Sequence, residues 1–147
     1  GTRLKISDVK LLFYAIDSTS DHHEAAALWF ENSINASEPR GLTWPTIHQF
    51  LRLGTNSTFP GAMSDGDAIR WVADWLDAGL EIVSDTDATW PLFEELVMAS
   101  PRALRTSIDD AHLAAIAISR GATLASFDGD FETFVGHGLR WEDLREY

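Results

Sequence analysis

Short apolar runs alternate with longer amphipathic segments from one end of the chain to the other. Most of the short runs are rich in leucine, isoleucine or valine and are bounded by polar residues or glycine. This pattern is typical of strands buried in a sheet. We predict strands at residues 4–7, 42–44, 80–83, 122–126 and 139–141, with the last one at an edge of the sheet.

The longer segments repeat apolar residues at helical spacing. They predict helices at residues 9–16, 21–33, 45–54, 64–78, 90–100 and 110–120, with a short helical turn at 131–134. Ser64 and Ser107 stand where N-caps are expected, and both have an acidic residue three positions later. Pro45 suits a first helical position, and Gly121 is placed to end the helix before it.

The same periodicity predicts which side chains face the core. In the second predicted helix we expect Leu28 and Trp29 to pack inward, and in the fourth we expect Ile69, Val72 and Trp75 to do so. The six tryptophans fall mostly at amphipathic positions of this kind. We therefore expect most of them to be core residues rather than exposed stacking surfaces.

Strands that alternate with helices predict an α/β fold, with a mainly parallel central sheet of about four to five strands flanked by helices. A chain of 147 residues with 45% hydrophobic content is long enough to bury a core, so we expect a single domain over residues 1–147. No apolar run is long enough to span a bilayer, and no segment reads as a secretory leader. The absence of cysteine excludes disulfides and thiolate metal sites, and it fits a cytoplasmic location.

The formal net charge of −12 argues against a protein that binds nucleic acid simply through a basic surface. The chain has only two lysines, Lys5 and Lys10. Two interpretations fit this balance, and they are compatible. The acidic residues are concentrated in a metal site and on solvated faces, or the natural partner is a basic protein.

Carboxylates follow the ends of predicted strands or open predicted helices at three distant places in the chain. Asp8 follows the first strand, Asp109 and Asp110 open a helix, and Asp128 and Asp130 follow the fourth strand. An α/β sheet gathers its ligand-binding groups at such positions. Converging carboxylates need a cation between them, and oxygen ligands favour Mg²⁺ or Mn²⁺.

Each of these acids also has an ordinary structural interpretation. Asp8 has the position of an N-cap, and Asp110 has capping-box spacing from Ser107. Asp109 would complement a helix dipole, and the Asp128-Gly-Asp sequence suits a turn. The histidines have no HxxxH or HxH spacing, so we expect an oxygen-only site. We expect His22 and His23 to be exposed and His112 to line a cleft or to pack.

Four segments in this order resemble the PIN-domain ribonucleases, and most closely the VapC-type toxins of toxin–antitoxin pairs. They are residues 6–15, residues 44–52, the Asp-Ala-His-Leu-Ala sequence at 110–114 and the Gly-Ala-Thr-Leu-Ala-Ser-Phe-Asp-Gly-Asp-Phe sequence at 121–131. The resemblance spans nearly the whole chain, and the last two segments are the most specific. It implies a PIN-like fold.

The resemblance also implies an activity, which is endonucleolytic hydrolysis of RNA that leaves a 5′-phosphate and a 3′-hydroxyl. The family's acidic residues bind Mg²⁺ or Mn²⁺, and they correspond here to Asp8, Asp110 and Asp128, with Asp130 as an accessory acid. Such toxins form homodimers and are inhibited by an antitoxin whose basic C-terminal arm covers the acidic groove. The acidity of this chain fits such an arm.

Two residues depart from the family pattern. The second family acid, a glutamate, is Gln49 here, and the asparagine that usually follows the first acid by two positions is Lys10. An amide brings no charge and cannot act as a general base. We therefore expect Gln49 to be a supporting position, with Asp109 or Asp130 compensating for the lost carboxylate. The alternative is a catalytically degenerate PIN domain that acts by binding an antitoxin or RNA.

Several further positions are candidates for contacts. Arg52, Arg102 and Arg105 are candidate phosphate ligands, and the helix at 64–78, with Trp71, is a candidate surface for the antitoxin or the dimer. A third interpretation, a metal-dependent phosphatase on another α/β fold, needs an acid two residues after its aspartyl nucleophile. Lys10 occupies that position after Asp8, which disfavours a phosphatase.

Overall fold

A computed structural model describes residues 3–35, 38–101 and 103–146 of the chain. Its centre is one sheet in which five strands all run parallel, in the order β3-β2-β1-β4-β5. The strands are β1 (Lys5–Ser7), β2 (Arg40–Thr43), β3 (Glu81–Val83), β4 (Thr123–Ser126) and β5 (Arg140–Asp143). The prediction of a parallel α/β sheet with an edge strand at the C-terminal end is confirmed.

Seven α-helices connect or flank these strands in the described part of the chain. They are α1 (Val9–Ile16), α2 (His23–Asn35), α3 (Trp44–Gly54), α4 (Asp65–Asp77), α5 (Thr89–Ala99), α6 (Ala103–Thr106) and α7 (Ile108–Ser119). The turn predicted at 131–134 is part of a longer 3₁₀ helix, Gly129–His137, and a second short 3₁₀ helix spans Leu144–Glu146. The Ser64 hydroxyl accepts a hydrogen bond from the Asp67 N–H and caps α4 as predicted.

Two hydrophobic cores cover the two faces of the sheet. One core is formed mainly by α5, α7 and the long 3₁₀ helix against Leu124, and the other by α1 to α4 against Ala125. Leu124 and Ala125 are consecutive on β4 and point to opposite faces, as the period of a strand requires. Helices therefore flank both faces, as predicted.

Two predictions of inward-facing side chains are wrong. Leu28 and Ile69 are exposed, and the inner faces of α2 and α4 are formed by Ala26 with Trp29 and by Ala68 with Val72 and Trp75. Trp29, Val72 and Trp75 face inward as predicted, and the buried faces include Ala26 and Ala68 in place of Leu28 and Ile69. Among the residues that the structure describes, no helix combines the length and apolar character needed to span a bilayer.

The tryptophans are less buried than predicted. Trp29 and Trp75 are core residues, but Trp44, Trp71 and Trp90 are exposed. An indole ring is so large that it is rarely buried completely, even at an amphipathic position. The expectation that most tryptophans are core residues is therefore wrong.

Candidate metal centre

The carboxyl ends of the parallel strands bring the predicted acids to one edge of the sheet. Ser7 of β1 is paired with Ala125 of β4. The residues that follow, Asp8 and Ser126, therefore lie side by side, and Asp128 comes two residues later. Asp110 approaches from the first turn of α7. Segments that are far apart in the chain meet here because β1 and β4 are neighbours.

Asp8 is buried, with 4% of its surface exposed, and both of its carboxylate oxygens accept hydrogen bonds. The Leu11 N–H donates to Oδ1 at 3.0 Å, so Asp8 is the N-cap of α1. The Ser126 hydroxyl donates to Oδ2 at 2.6 Å. The helix-capping interpretation of Asp8 is confirmed, and the same bonds hold its carboxylate in one orientation.

Ser126 is a site residue that the sequence interpretation missed. Its side chain is fully buried, and besides donating to Asp8 it accepts a hydrogen bond from the Asp128 N–H at 2.8 Å. One hydroxyl thus joins the two acids of neighbouring strands. The sequence did contain a signal for this role. Ser126 ends an apolar strand and precedes Phe127, so a polar residue stands where a buried apolar one would be expected.

One carboxylate oxygen from each of Asp110, Asp128 and Asp130 lies within 4.8 Å of the other two. The Asp130 N–H also donates to Asp128 Oδ1 at 3.0 Å, so the turn interpretation of these two residues holds as well. Because Ser107 makes no side-chain cap and its N–H is bonded to the Ala103 carbonyl, the capping-box interpretation of Asp110 is wrong. The Asp110 carboxylate faces the other acids instead.

Burial and mutual repulsion make the ionised cluster costly. Burial raises the pKa of Asp110 to about 7, and the nearby charges of Asp128, Asp8 and Asp130 contribute. Burial also raises the pKa of Asp8 to about 6, against the opposing hydrogen bonds from Ser126 and Leu11. A divalent cation would stabilise the ionised forms, and an all-oxygen donor set fits Mg²⁺ or Mn²⁺.

Lys10 points into the cluster. Its Nζ donates to Asp128 Oδ2 at 3.0 Å, although the lysine side chain remains 54% exposed. Burial of Asp128 opposes its ionisation, but the hydrogen bonds from the Asp130 N–H and Lys10 outweigh this effect and lower the pKa of Asp128. Lys10 therefore competes with a cation for one oxygen of Asp128.

Gln49 is held beside the cluster rather than within it. Its Nε2 donates to Asp109 Oδ2 at 2.7 Å and so links α3 to α7. The Asp109 carboxylate is thus hydrogen-bonded to the Gln49 amide, whereas Asp130 belongs to the cluster with Asp110 and Asp128. Of the two acids expected to compensate for Gln49, the structure places Asp130 with the other acids.

A polar groove of about 620 Å³ opens beside the cluster. Asp110 and Asp130 line it together with the hydroxyl-bearing residues Ser100, Ser107 and Thr133. It gives a substrate access to the carboxylates from the side of the long 3₁₀ helix.

The candidate phosphate ligands are not gathered at this groove. Arg52 lies beside His48 at a separate surface depression, and Arg105 is exposed on α6. Arg102 lies outside the described residues.

The prediction that His22 and His23, at the start of α2, are exposed is wrong, because both are partly buried. The His22 ring packs between Tyr14 and Phe127, at centroid distances of 4.9 and 4.6 Å, and His23 Nδ1 lies 2.9 Å from the Tyr14 carbonyl oxygen. His112 lines a cleft, one of the two positions expected for it. In the part of the chain that the structure describes, the potential metal cluster contains only aspartates, which agrees with an oxygen-only site.

The comparison with known families assigns the chain to one of them. A profile described as PIN domain matches residues 6–136, a range that includes every acid of the cluster. The chain belongs to the PIN-domain family. Membership confirms the predicted PIN-like fold and favours this family over the phosphatase interpretation.

Curated relatives align over almost the whole chain. Ribonuclease VapC37 of Mycobacterium tuberculosis is 31% identical over 140 residues, which cover 95% of this chain and 96% of the relative. Ribonuclease VapC33 of the same species is 33% identical over 148 residues, with coverages of 96% and 99%. The predicted similarity to VapC-type toxins is confirmed.

Solved structures show the same fold at low sequence identity. VapBC2 from Rickettsia felis, bound to a DNA fragment from its promoter, superposes with a TM-score of 0.73 at 16% identity, covering 95% of this chain and 98% of that chain. VapC20 of Mycobacterium tuberculosis, described as a sarcin-ricin loop cleaving toxin, gives 0.64 at 14% identity, with coverages of 92% and 95%. At these identities the likeness concerns the fold alone.

Proposed function

We propose that this chain is a metal-dependent endoribonuclease and the toxin of a toxin–antitoxin pair. Asp8, Asp110 and Asp128 would hold the metal, and Gln49 and Asp130 would support the site. The observation that carries the proposal is the cluster in which oxygens of Asp110, Asp128 and Asp130 lie within 4.8 Å of one another, next to the fixed carboxylate of Asp8. The ribonuclease names of the relatives agree with it.

The metal proposed is Mg²⁺ or Mn²⁺. When bound, it would polarise a phosphoryl oxygen of the RNA and lower the pKa of the attacking water. Asp8 is suited to hold it because the hydrogen bonds from Leu11 and Ser126 keep its carboxylate in place. Asp110 is suited because, among the described residues, no hydrogen bond or ion pair engages its carboxylate, and its burial and the neighbouring acids favour a cation beside it.

The other residues would orient the reactants. Asp130 is exposed and lines the polar groove, and we assign it the role of accepting a proton from the attacking water. Attack in line with the P–O3′ bond would form a bond between phosphorus and the water oxygen and break the P–O3′ bond, and the leaving 3′-oxygen would take up a proton from solvent. The products would be a 5′-phosphate and a 3′-hydroxyl.

One observation favours a second candidate function, a degenerate PIN domain that binds an antitoxin or RNA without cutting. Both residues that depart from the family pattern contact acids at this edge, Lys10 through Asp128 and Gln49 through Asp109. In an active enzyme, Lys10 would have to leave Asp128 and bind a phosphate of the substrate instead. Its half-exposed side chain permits that movement.

The proposed partners are an antitoxin with a basic C-terminal arm, an RNA substrate and a second copy of the chain. Support for the antitoxin comes from neighbours such as VapBC2 and VapBC-1 of Haemophilus influenzae, whose structures are of VapBC systems. The net charge of −12 would attract and orient a basic arm. The carboxylate cluster is the part of the surface that such an arm would neutralise.

Cleavage of total cellular RNA tests the proposal. The purified chain, free of antitoxin, is incubated with Mn²⁺ or Mg²⁺ beside an EDTA control, Asp110→Asn and the matched control Asp65→Asn, which alters an exposed acid of α4. We expect discrete fragments from the wild type and from Asp65→Asn, and none with EDTA or Asp110→Asn. Folded wild-type protein that cuts neither this RNA nor a panel of structured RNAs would favour the binding-only function.

A further inference from the structure

A second cavity lies outside the metal centre, at the carboxyl end of β3. Its volume is about 350 Å³, which is within the range of small-ligand pockets. We call it the aromatic pocket. It is lined by Asp85, Thr86, Thr89, Trp90, Phe93 and His112.

The wall of the aromatic pocket is made of stacked rings. The Trp90 and Phe93 rings lie 5.9 Å apart between centroids at an angle of 30°, and His112 meets Phe93 edge-on at 6.2 Å. Trp90 is 66% exposed. An indole that is supported from behind and open to solvent in front offers a flat stacking surface.

The polar part of the aromatic pocket is a fixed hydrogen-bond acceptor. Asp85 Oδ1 lies 2.9 Å from His112 Nε2, which orients the carboxylate while its side chain remains 55% exposed. The described residues of the lining include no lysine or arginine. The pocket therefore suits a flat group that presents N–H donors and carries no negative charge.

The aromatic pocket and the metal centre lie at the same edge of the sheet. β3 and β1 are separated only by β2, so their carboxyl ends are about 10 Å apart at the usual strand spacing. Helix α7 contributes to both places, since Asp110 belongs to the metal centre and His112 lines the pocket. The two places are therefore neighbours at this edge, on different sides of α7.

We propose that the aromatic pocket binds an unpaired RNA base that carries an amino group, stacked on Trp90 and donating a hydrogen bond to Asp85. This assignment rests on the function proposed above and adds a base-recognition site to it. A chain with net charge −12 gains little from phosphate contacts, so stacking, which does not depend on charge, has to supply much of its affinity for RNA. Adenine can donate to this acceptor from its amino group, whereas uracil has no amino group and carries a carbonyl on each side of its N3–H.

Binding is measured by fluorescence anisotropy with short labelled oligoadenylate and oligouridylate in EDTA, so that cleavage plays no part. The variants are Trp90→Ala, Trp90→Phe, Asp85→Ala and the matched control Trp71→Ala, whose indole is also exposed, at 39%, on α4. We expect Trp90→Ala to weaken oligoadenylate binding on the order of tenfold. Trp90→Phe should restore most of the affinity, Asp85→Ala should remove the preference for adenine, and Trp71→Ala should bind like the wild type.

Kinetics separate this proposal from the proposed function. The base-free diester bis(p-nitrophenyl) phosphate reports on the metal centre alone, so we expect Trp90→Ala to hydrolyse it normally while its KM for RNA rises. If the wild type hydrolyses neither substrate, the proposed function fails, and the binding assay still decides the role of the pocket.

Three results would overturn the proposal. The first is a wild type that does not bind either oligonucleotide. The second is equal affinity of Trp90→Ala and Trp71→Ala for oligoadenylate. The third is loss of binding to an arginine-rich peptide, but not to RNA, in Trp90→Ala. That last result would assign the pocket to a basic segment of a partner protein, held over the indole by a cation–π contact.

Discussion

The hydroxyl of Ser126 donates to Asp8 Oδ2 at 2.6 Å, across 118 positions of sequence. The Ser126 hydroxyl oxygen also accepts a hydrogen bond from the Asp128 N–H at 2.8 Å. Ser126 is therefore a common partner of the two aspartates that follow β1 and β4. The Ser126 side chain is fully buried, and an unpaired polar group in such a place is costly. Ser126 is therefore a positioning residue of the proposed metal centre.

Ser126→Ala should lower both stability and metal affinity. The substitution leaves the buried Asp8 carboxylate and the Asp128 N–H without this partner, at a cost of about 1–3 kcal/mol in the free energy of unfolding. Urea unfolding measures the first effect and Mn²⁺ titration calorimetry the second. Ser84→Ala, at an exposed serine after β3, is the matched control. A Ser126→Ala protein as stable as this control would refute the positioning role.

Stability without metal should fall as the pH rises from about 4 to 8. The pKa values of Asp8 and Asp110 are raised by burial from 3.8 to about 6 and about 7, so the folded state holds more protons than the unfolded state in this interval. Their contribution is present below pH 4 and is lost as the pH passes 6 to 7, with a size on the order of a few kcal/mol. Urea unfolding in EDTA at several pH values measures it.

Asp110→Asn separates this effect from the titration of other groups. An amide does not titrate, so the difference in stability between the variant and the wild type should grow in favour of the variant from pH 5 to pH 8. Added Mn²⁺ should stabilise the wild type more at pH 8 than at pH 5. A wild-type advantage that grows with pH in EDTA would contradict the raised pKa of Asp110.

Lys10→Ala should tighten metal binding. The Lys10 ammonium occupies one oxygen of Asp128. Exposed ion pairs contribute up to about 1 kcal/mol, so its removal should lower the Kd for Mn²⁺ by up to about fivefold. Lys5→Ala is the matched control, because Lys5 pairs with Glu38 and Glu142 away from the cluster. Equal Mn²⁺ affinities of the two variants would show that Lys10 does not compete with the metal.

Gln49→Glu should also tighten Mn²⁺ or Mg²⁺ binding by restoring a carboxylate near the cluster. The amide of Gln49 now donates to Asp109, so the substitution places two carboxylates in contact and should destabilise the metal-free protein. Calorimetry and urea unfolding measure the two effects, with Gln49→Glu/Asp109→Asn as the variant that relieves the repulsion. Unchanged metal affinity in both variants would mean that Gln49 does not face the metal.

Most of the helices and strands, and the class of fold, follow from the amino-acid sequence alone, although the short helix α6 was not predicted. Apolar runs of strand length that alternate with amphipathic segments predict a parallel sheet covered on both faces, and local signals such as Ser64 before α4 mark helix ends within a few residues. These features depend on neighbours along the chain, which the sequence lists directly. The positions of Asp8, Asp110 and Asp128 at strand and helix ends follow from the same local pattern.

Which side chains meet depends on how the whole chain packs. The spacing of Ser107 and Asp110 equals that of a capping box, yet the Ser107 N–H is bonded to the Ala103 carbonyl and Asp110 turns to the other acids. The bond from Ser126 to Asp8 and the exposure of Trp90 likewise depend on strand order and on the rotation of whole helices. Such contacts join segments that are distant in sequence, and their geometry is set by packing over the entire core rather than by any local pattern.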